Sequence, residues 1–168
     1  MLKKILLALL IVLGLIQFIR PPQNLGNDQT GHISTLFPMP AQLQQTLRIA
    51  CYDCHSNLTR YPWYFKLQPA AWFMENHVVD GKRHLNFSEL AKRPVWLQYK
   101  KLHETQEMID KGEMPLGSYT LIHKDAILKD GQKQEIIDWA VAAMDSLKAH
   151  NPADSLIPPK RKGAPAGR

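Results

Sequence analysis

The chain has 168 residues, two cysteines, seven histidines and a formal net charge of +6 at pH 7. Half of this net charge comes from residues 1–20 and the other half from residues 150–168, so residues 21–149 are neutral. A nucleic-acid-binding face would concentrate lysine and arginine on the folded part of the chain. The distribution therefore excludes nucleic acid as an expected partner.

The N-terminal segment has the composition of a membrane-targeting signal. Lys3 and Lys4 precede an apolar stretch over residues 5–19, and Arg20 closes it. No cleavage site of small residues follows, so we predict an uncleaved signal anchor, a transmembrane helix over residues 1–20, rather than a removed signal peptide. The lysines before the stretch place the N-terminus in the cytoplasm and the rest of the chain outside.

The segment after the predicted anchor is expected to be a linker, over residues 21–39. Pro21, Pro22 and Gly26 disfavour regular structure there. The folded domain is predicted to span residues 40–149. Its first helix begins near Pro40, because proline is favoured in the first turn of a helix, and its apolar side chains recur with helical spacing up to the first cysteine.

The most informative motif of the chain follows this helix. Residues 51–55 are Cys51-Tyr52-Asp53-Cys54-His55, and Cys-x-x-Cys-His is the attachment sequence of c-type haem. Two thiols three residues apart can bond to the two vinyl groups of haem, and the adjacent imidazole then binds the iron as the proximal ligand. We therefore predict one haem c, covalently attached through Cys51 and Cys54, with His55 on the iron.

Other chemistry that uses paired cysteines fits the motif less well. A thioredoxin-like redox pair belongs in a βαβ setting, which the pattern does not indicate. A structural zinc site needs two further ligands at finger-like spacing, and His77 and His84 do not provide them. A zinc deaminase would carry His-x-Glu upstream of the cysteines, and this chain has no such sequence there. A disulfide between Cys51 and Cys54 is compatible with an oxidising compartment, but it would leave His55 unexplained.

Three further helices are predicted after the motif. The first begins after Pro69 and ends before Gly81, the second runs from Pro94 to Gly112, and the third follows Asp130, a predicted N-cap. Because strand signals are poor throughout, the predicted fold class is a small all-α domain. Residues 150–168 are rich in Pro, Gly, Ala, Lys and Arg and are predicted to form a disordered basic tail.

The sixth ligand of the iron decides the function, because a filled position suits electron transfer and an open one binds other molecules. Met114 is the predicted distal ligand, since it follows the helix end at Gly112 and Pro115 stiffens its loop. His84 is the alternative distal ligand. The other methionines are predicted to belong to the anchor, the linker or the helix faces; they are Met1, Met39, Met74, Met108 and Met144.

Several short segments together resemble a known family. They are CYDCHSN at 51–57, YPWY at 61–64, HLNFSE at 84–89, GEMP at 112–115, YTLIH at 119–123 and IIDWA at 136–140. In these segments the chain is similar to bacterial haem-binding domain proteins, small membrane-anchored relatives of the class I cytochromes c. The resemblance covers roughly residues 41–143 and implies a cytochrome c-like fold with His55 proximal and Met114 distal. Many relatives carry a second proline where this chain has Leu116.

We therefore expect a monohaem cytochrome c at the bacterial inner membrane, held there through residues 1–20, with its haem domain facing the periplasm. It would transfer single electrons with redox partner proteins that the sequence does not identify. We assign no catalytic residue and expect an electron carrier rather than an enzyme. Two alternatives stay open. One is a gas sensor or peroxidase-like enzyme with a labile sixth ligand, in which His84 or His123 is the distal polar group. The other is a structural haem module in a membrane complex.

Overall fold

The computed structural model describes residues 1–159, and over these residues the regular structure is helical. The α-helices of this part of the chain are α1 (Leu2–Ile16), α2 (Ala41–Ala50), α3 (Tyr52–His55), α4 (Ala70–His84), α5 (Val95–Asp110), α6 (Gly117–Ile122) and α7 (Asp130–His150). Short 3₁₀-helices cover Ile33–Thr35, Trp63–Lys66, Leu90–Lys92, Lys124–Ala126 and Ala153–Leu156. Leu25 and Leu58 form an isolated antiparallel bridge. The all-α prediction for the domain is confirmed.

The N-terminal helix is shorter than the predicted membrane helix. α1 contains 15 residues, which corresponds to a length of about 22 Å, whereas the hydrocarbon core of a bilayer is about 30 Å thick. Among residues 1–159, no helix combines the length and the apolar character needed to cross a membrane. The prediction of a transmembrane helix over residues 1–20 is therefore wrong.

Residues 17–20, which the prediction assigned to the membrane, form hydrogen bonds with the domain instead. The Gln17 side chain accepts a hydrogen bond from the backbone N–H of Gln68 (2.9 Å) and donates one to the carbonyl of Gln68 (3.2 Å). Arg20 donates to the carbonyl of Lys66. The apolar helix ends at Ile16, and polar contacts with the domain begin at the next residue.

Proline and glycine set several of the helix ends, as the sequence predicts. Pro40, Pro69 and Pro94 each stand directly before the first residue of a helix, in α2, α4 and α5. Proline costs no hydrogen bond at such a position, because the first N–H groups of a helix have no carbonyl partner within it. Gly112 has a φ of 68° just beyond α5, in the left-handed region that favours glycine.

The last helix, α7, contributes much of the core. Its N-cap is Lys129 rather than the predicted Asp130, and the backbone N–H of Lys129 donates to the side chain of Gln132 (3.0 Å). α7 packs against α5 and also contacts α2. Its buried stripe is Ile136, Trp139, Ala140, Ala143, Met144 and Leu147.

Parts of the predicted linker and of the predicted tail pack against the domain. Ile33 is 0% exposed and Met39 is 7% exposed, and both belong to the core. The backbone N–H of Ile33 donates to the carbonyl of Phe87 (3.0 Å). At the other end, Leu156 packs against the same core. Residues 160–168 of the predicted tail lie outside the described residues.

Ile33→Ala tests whether the predicted linker stabilises the domain. Truncating a fully buried isoleucine leaves a cavity, so we expect the free energy of unfolding to fall by about 2–5 kcal/mol. Leu36→Ala is the control, because Leu36 lies in the same segment but is 48% exposed; a change of about 0.5 kcal/mol or less is expected. Denaturant unfolding of both variants measures the difference. Equal effects would contradict the packing of Ile33.

Candidate functional site

A large cavity lies beside the core, between α3, α4, α5 and α6. Its volume is about 1240 Å³, larger than the range of about 300–1,000 Å³ that is common for small-molecule sites. Apolar groups form most of its wall. The structure brings the four predicted site residues to this cavity: Cys51, Cys54, His55 and Met114.

The cysteines and the histidine of the motif lie on one short stretch of helical backbone. Cys51 ends α2, where its N–H donates to the carbonyl of Leu47 (2.9 Å), and α3 follows without a loop. The N–H of His55 donates to the carbonyl of Cys51 (2.9 Å), which closes the next turn. The two thiols and the imidazole therefore reach the same wall of the cavity.

Both thiols are held in the protonated form near neutral pH. Burial raises the pKa of the Cys51 thiol to about 12 and that of the Cys54 thiol to about 11. The thiolate is the form that attacks disulfides, so the raised pKa values disfavour a thioredoxin-like redox role for the motif. In the described part of the chain, no group of three or more His, Cys, Asp or Glu side chains is placed to hold a metal ion.

Two backbone carbonyls fix the imidazole of His55. Its Nδ1 lies 2.9 Å from the carbonyl oxygen of Gly81 and 3.0 Å from that of Leu85. Because a carbonyl oxygen can only accept, Nδ1 carries the proton and Nε2 keeps its lone pair. Burial lowers the pKa of His55, which favours the neutral ring. This is the arrangement of a metal-binding histidine, in which the second ring nitrogen donates to a carbonyl.

The bond from His55 to Gly81 depends on a close approach between α3 and α4. A Cβ atom at position 81 would lie 2.6 Å from the carbonyl oxygen and 2.9 Å from the Cβ of Cys54. Glycine is therefore required here, because any side chain would separate the two helices. The sequence predicts a helix that ends before Gly81, whereas α4 continues through it to His84. This role of Gly81 follows from a contact that the local sequence does not reveal.

Asp53, which stands between the two cysteines, is buried and is bonded on several sides. Asp53 is 4% exposed, and its carboxylate accepts hydrogen bonds from the backbone N–H (3.1 Å), Nε (3.0 Å) and Nη2 (3.0 Å) of Arg60. The hydroxyl of Tyr119 in α6 also donates to it, at 2.8 Å. Burial raises the pKa of Tyr119, so this hydroxyl keeps its proton. The motif alone gives no role to Asp53.

Met114 lies in the loop between α5 and α6. Beyond Gly112, the N–H groups of Glu113 and Met114 both donate to the carbonyl of Met108, at 2.9 and 3.2 Å. These bonds hold the start of the loop against the last turn of α5. Pro115 follows and also lines the cavity, and α6 begins directly afterwards. Both ends of the short loop are therefore fixed by helices.

Other candidate ligands also reach the cavity. Met74 in α4 and Met108 in α5 line it, although their positions in helices predict packing roles. Nothing in the sequence distinguishes them from Met144, which is buried in the core. His84 lines the cavity as the last residue of α4, the helix whose backbone carbonyl contacts His55. Met114 differs from these residues because it lies in a loop outside the helices.

Aromatic and polar side chains form the rim of the cavity. The hydroxyl of Tyr64 lies 2.7 Å from Nε2 of His123, and the ring of His123 stacks on that of Tyr119 at a centroid distance of 4.3 Å. Trp63 and Phe73 also line the cavity and are mostly exposed. The rim is therefore the part of the cavity that solvent and other proteins can reach.

The comparisons with known proteins bear directly on this cavity. A family described as a haem-binding domain matches residues 11–142, more than half of the chain, and this range contains every cavity residue named above. The match supports haem as the cofactor. The comparison with curated proteins and the comparison with solved structures each found no match.

Gly81→Ala tests the close approach of α4 to α3. The added methyl group collides with backbone, so we expect the free energy of unfolding to fall by about 1–3 kcal/mol and a smaller fraction of the chain to carry haem. Gly131→Ala is the matched control, since a Cβ there would have no neighbour within 4 Å. Thermal unfolding and the ratio of haem to protein absorbance measure the two effects. Equal behaviour of the two variants would contradict the contact.

Proposed function

The chain belongs to the haem-binding domain family, and on this basis we propose that it carries one haem c and transfers single electrons. In the proposal Cys51 and Cys54 attach the haem, His55 is the proximal ligand of the iron and Met114 is the distal ligand. One observation carries it: two carbonyls hold the Nδ1 proton of His55, which leaves Nε2 as a ligand on the wall that also carries both thiols.

The donor set of the cavity fits a covalently bound haem. A thiol adds across a vinyl double bond by giving its sulfur to one carbon and its proton to the other, so no oxidant is needed. Cys51 and Cys54 keep that proton at neutral pH, because burial raises their pKa values. The large apolar cavity suits a macrocycle. When bound, haem supplies an iron that exists in a ferric and a ferrous state.

In this proposal, the role of the protein in electron transfer is to keep the iron ligands still. The carbonyls of Gly81 and Leu85 orient His55. The carbonyl of Met108 holds the start of the Met114 loop. Ligands that stay in place in both oxidation states keep reorganisation small when an electron is gained or lost. The apolar wall would surround a bound haem with nonpolar groups, and such burial is one means by which proteins set the reduction potential.

A second candidate function rests on the pair formed by Tyr64 and His123. A haem that binds a gas or a peroxide needs an exchangeable sixth position and a polar group near it. The hydroxyl of Tyr64 and the imidazole of His123 are bonded to each other on the rim of the cavity. Gas sensing or peroxidase-like chemistry therefore becomes the better assignment if Met114 does not bind the iron.

We also propose that the haem domain works on the periplasmic side of the bacterial inner membrane. Lys3 and Lys4 precede an apolar helix, which is the order found in export signals. Haem is attached to c-type proteins on the outer side of that membrane, so the motif and the N-terminal segment point to the same compartment.

Covalent attachment predicts that the mass of the denatured chain is increased by that of one haem. Each single variant, Cys51→Ala or Cys54→Ala, can form one thioether at most. The double variant can form none, so it should carry no haem after denaturation. Ser118→Ala, which alters another residue of the cavity wall, is the control and should keep its haem. Intact-protein mass spectrometry in acid measures the outcome. Haem that leaves the wild-type chain on denaturation would contradict covalent attachment.

Ligation by Met114 predicts that the reduced protein does not bind carbon monoxide. The wild-type absorption spectrum should be low-spin, with the weak charge-transfer band of a methionine–iron bond in the oxidised state, and the gas should leave the reduced spectrum unchanged. Met114→Ala opens the sixth position, so this variant should bind carbon monoxide readily, whereas Met108→Leu should behave as wild type. Binding of the gas by the wild type would contradict this ligation and favour the second candidate.

A further inference from the structure

A hydrogen bond joins the helix that carries the haem-attachment motif to the helix that follows the Met114 loop. The hydroxyl of Tyr119 in α6 donates to Oδ2 of Asp53 in α3 at 2.8 Å. The same hydroxyl lies 3.2 Å from the carbonyl of Ile49, in the last turn of α2. The side chain of Tyr119 therefore connects α6 to the haem-attachment motif.

Asp53 is held firmly on its own side of this bond. Its carboxylate forms an ion pair with Arg60 (3.0 Å), and its side chain is 6% exposed. The hydroxyl of Thr59, which is also buried, donates to the backbone carbonyl of Asp53 at 2.7 Å. The carboxylate thus has a fixed orientation. Hydrogen bonds to an ionised acceptor are stronger than those between neutral groups.

Tyr119 is coupled in turn to the Met114 loop. Its backbone N–H donates to the carbonyl of Leu116 (3.0 Å), the residue that joins Pro115 to α6. α6 is a short helix of six residues without a fully buried side chain, and Tyr119 is its one residue that packs, partly buried, against the core. With so little apolar burial of its own, α6 depends on the Tyr119 hydroxyl for its position more than a core helix would.

We propose that the hydrogen bond between Asp53 and Tyr119 is a latch that positions the Met114 loop opposite His55 and thereby keeps the methionine on the iron. The inference rests on the proposed function, in which Met114 is the distal ligand. Asp53 and Tyr119 are positioning residues, since they act through the loop. Opening of the latch would release Met114 but leave His55 in place, because His55 is oriented by α4.

Tyr119→Phe in the full-length, haem-loaded chain tests the latch, because the variant lacks only the hydroxyl. We expect the methionine–iron charge-transfer band to be largely lost and the reduced protein to bind carbon monoxide. The backbone amides of residues 117–122 should exchange with solvent about tenfold faster or more, since a hydrogen bond to a charged group is lost. The covalent haem and the far-ultraviolet circular dichroism should be unchanged.

Tyr61→Phe is the matched control. The hydroxyl of Tyr61 accepts a hydrogen bond from the backbone N–H of Asn24 at 2.6 Å, so this variant also loses one hydroxyl bond, but away from α6. It should keep the band, the insensitivity to carbon monoxide and the slow exchange of α6. Asp53→Ala removes the acceptor of this bond and also the partner of Arg60, so it should likewise lose the band. Adding Tyr119→Phe to Asp53→Ala should change the exchange of α6 little further, because Asp53 and Tyr119 share one hydrogen bond.

The two readouts separate failure of the latch from failure of the proposed function. A wild-type protein without the charge-transfer band would contradict ligation by Met114. If the wild type has the band and Tyr119→Phe keeps it, the latch is overturned and the proposed function stands. If the amides of α6 exchange as slowly in Tyr119→Phe as in the wild type, the latch is overturned, whatever the absorption spectrum of the wild type.

Discussion

The rest of the site depends on the close approach of α4 to α3. At Gly81 the two backbones are so near that a Cβ would lie 2.6 Å from the carbonyl oxygen of Cys54. This approach places two carbonyls, those of Gly81 and Leu85, at Nδ1 of His55. The tautomer and the orientation of the imidazole follow from those bonds. The packing of the two helices thus gives the imidazole of His55 a fixed orientation on the wall of the cavity.

The proposed distal side is built by different helices. α5 packs against α7 in the core and ends at the loop that carries Met114, so the core supports the start of that loop. α6 follows the loop and bonds to Asp53 through Tyr119. The proposed proximal ligand, His55, is therefore held by α4, and the proposed distal ligand, Met114, by α5 and α6, while α3 contacts both sides. This division explains why the two ligands should respond to different substitutions.

Local signals predicted some features, and long-range contacts account for the features that were missed. The Cys-x-x-Cys-His motif predicted His55 as a site residue, and the helix end at Gly112 predicted Met114. Both residues line the same cavity in the structure. By contrast, the roles of Gly81 and Asp53 arise from packing between distant segments, which spacing along the chain does not encode. The transmembrane prediction failed because composition counts apolar residues but does not show that Gln17 bonds to Gln68 and that α1 ends before it.

Proton NMR of the reduced, haem-loaded chain tests the central claim that His55 and Met114 face each other across the iron. A methionine bound to low-spin ferrous iron lies over the macrocycle, whose ring current moves the methyl resonance far upfield. We predict one such signal, present in Met74→Leu and Met108→Leu and absent in Met114→Leu. A wild-type spectrum without it, or its loss in Met74→Leu or Met108→Leu instead, would contradict the account.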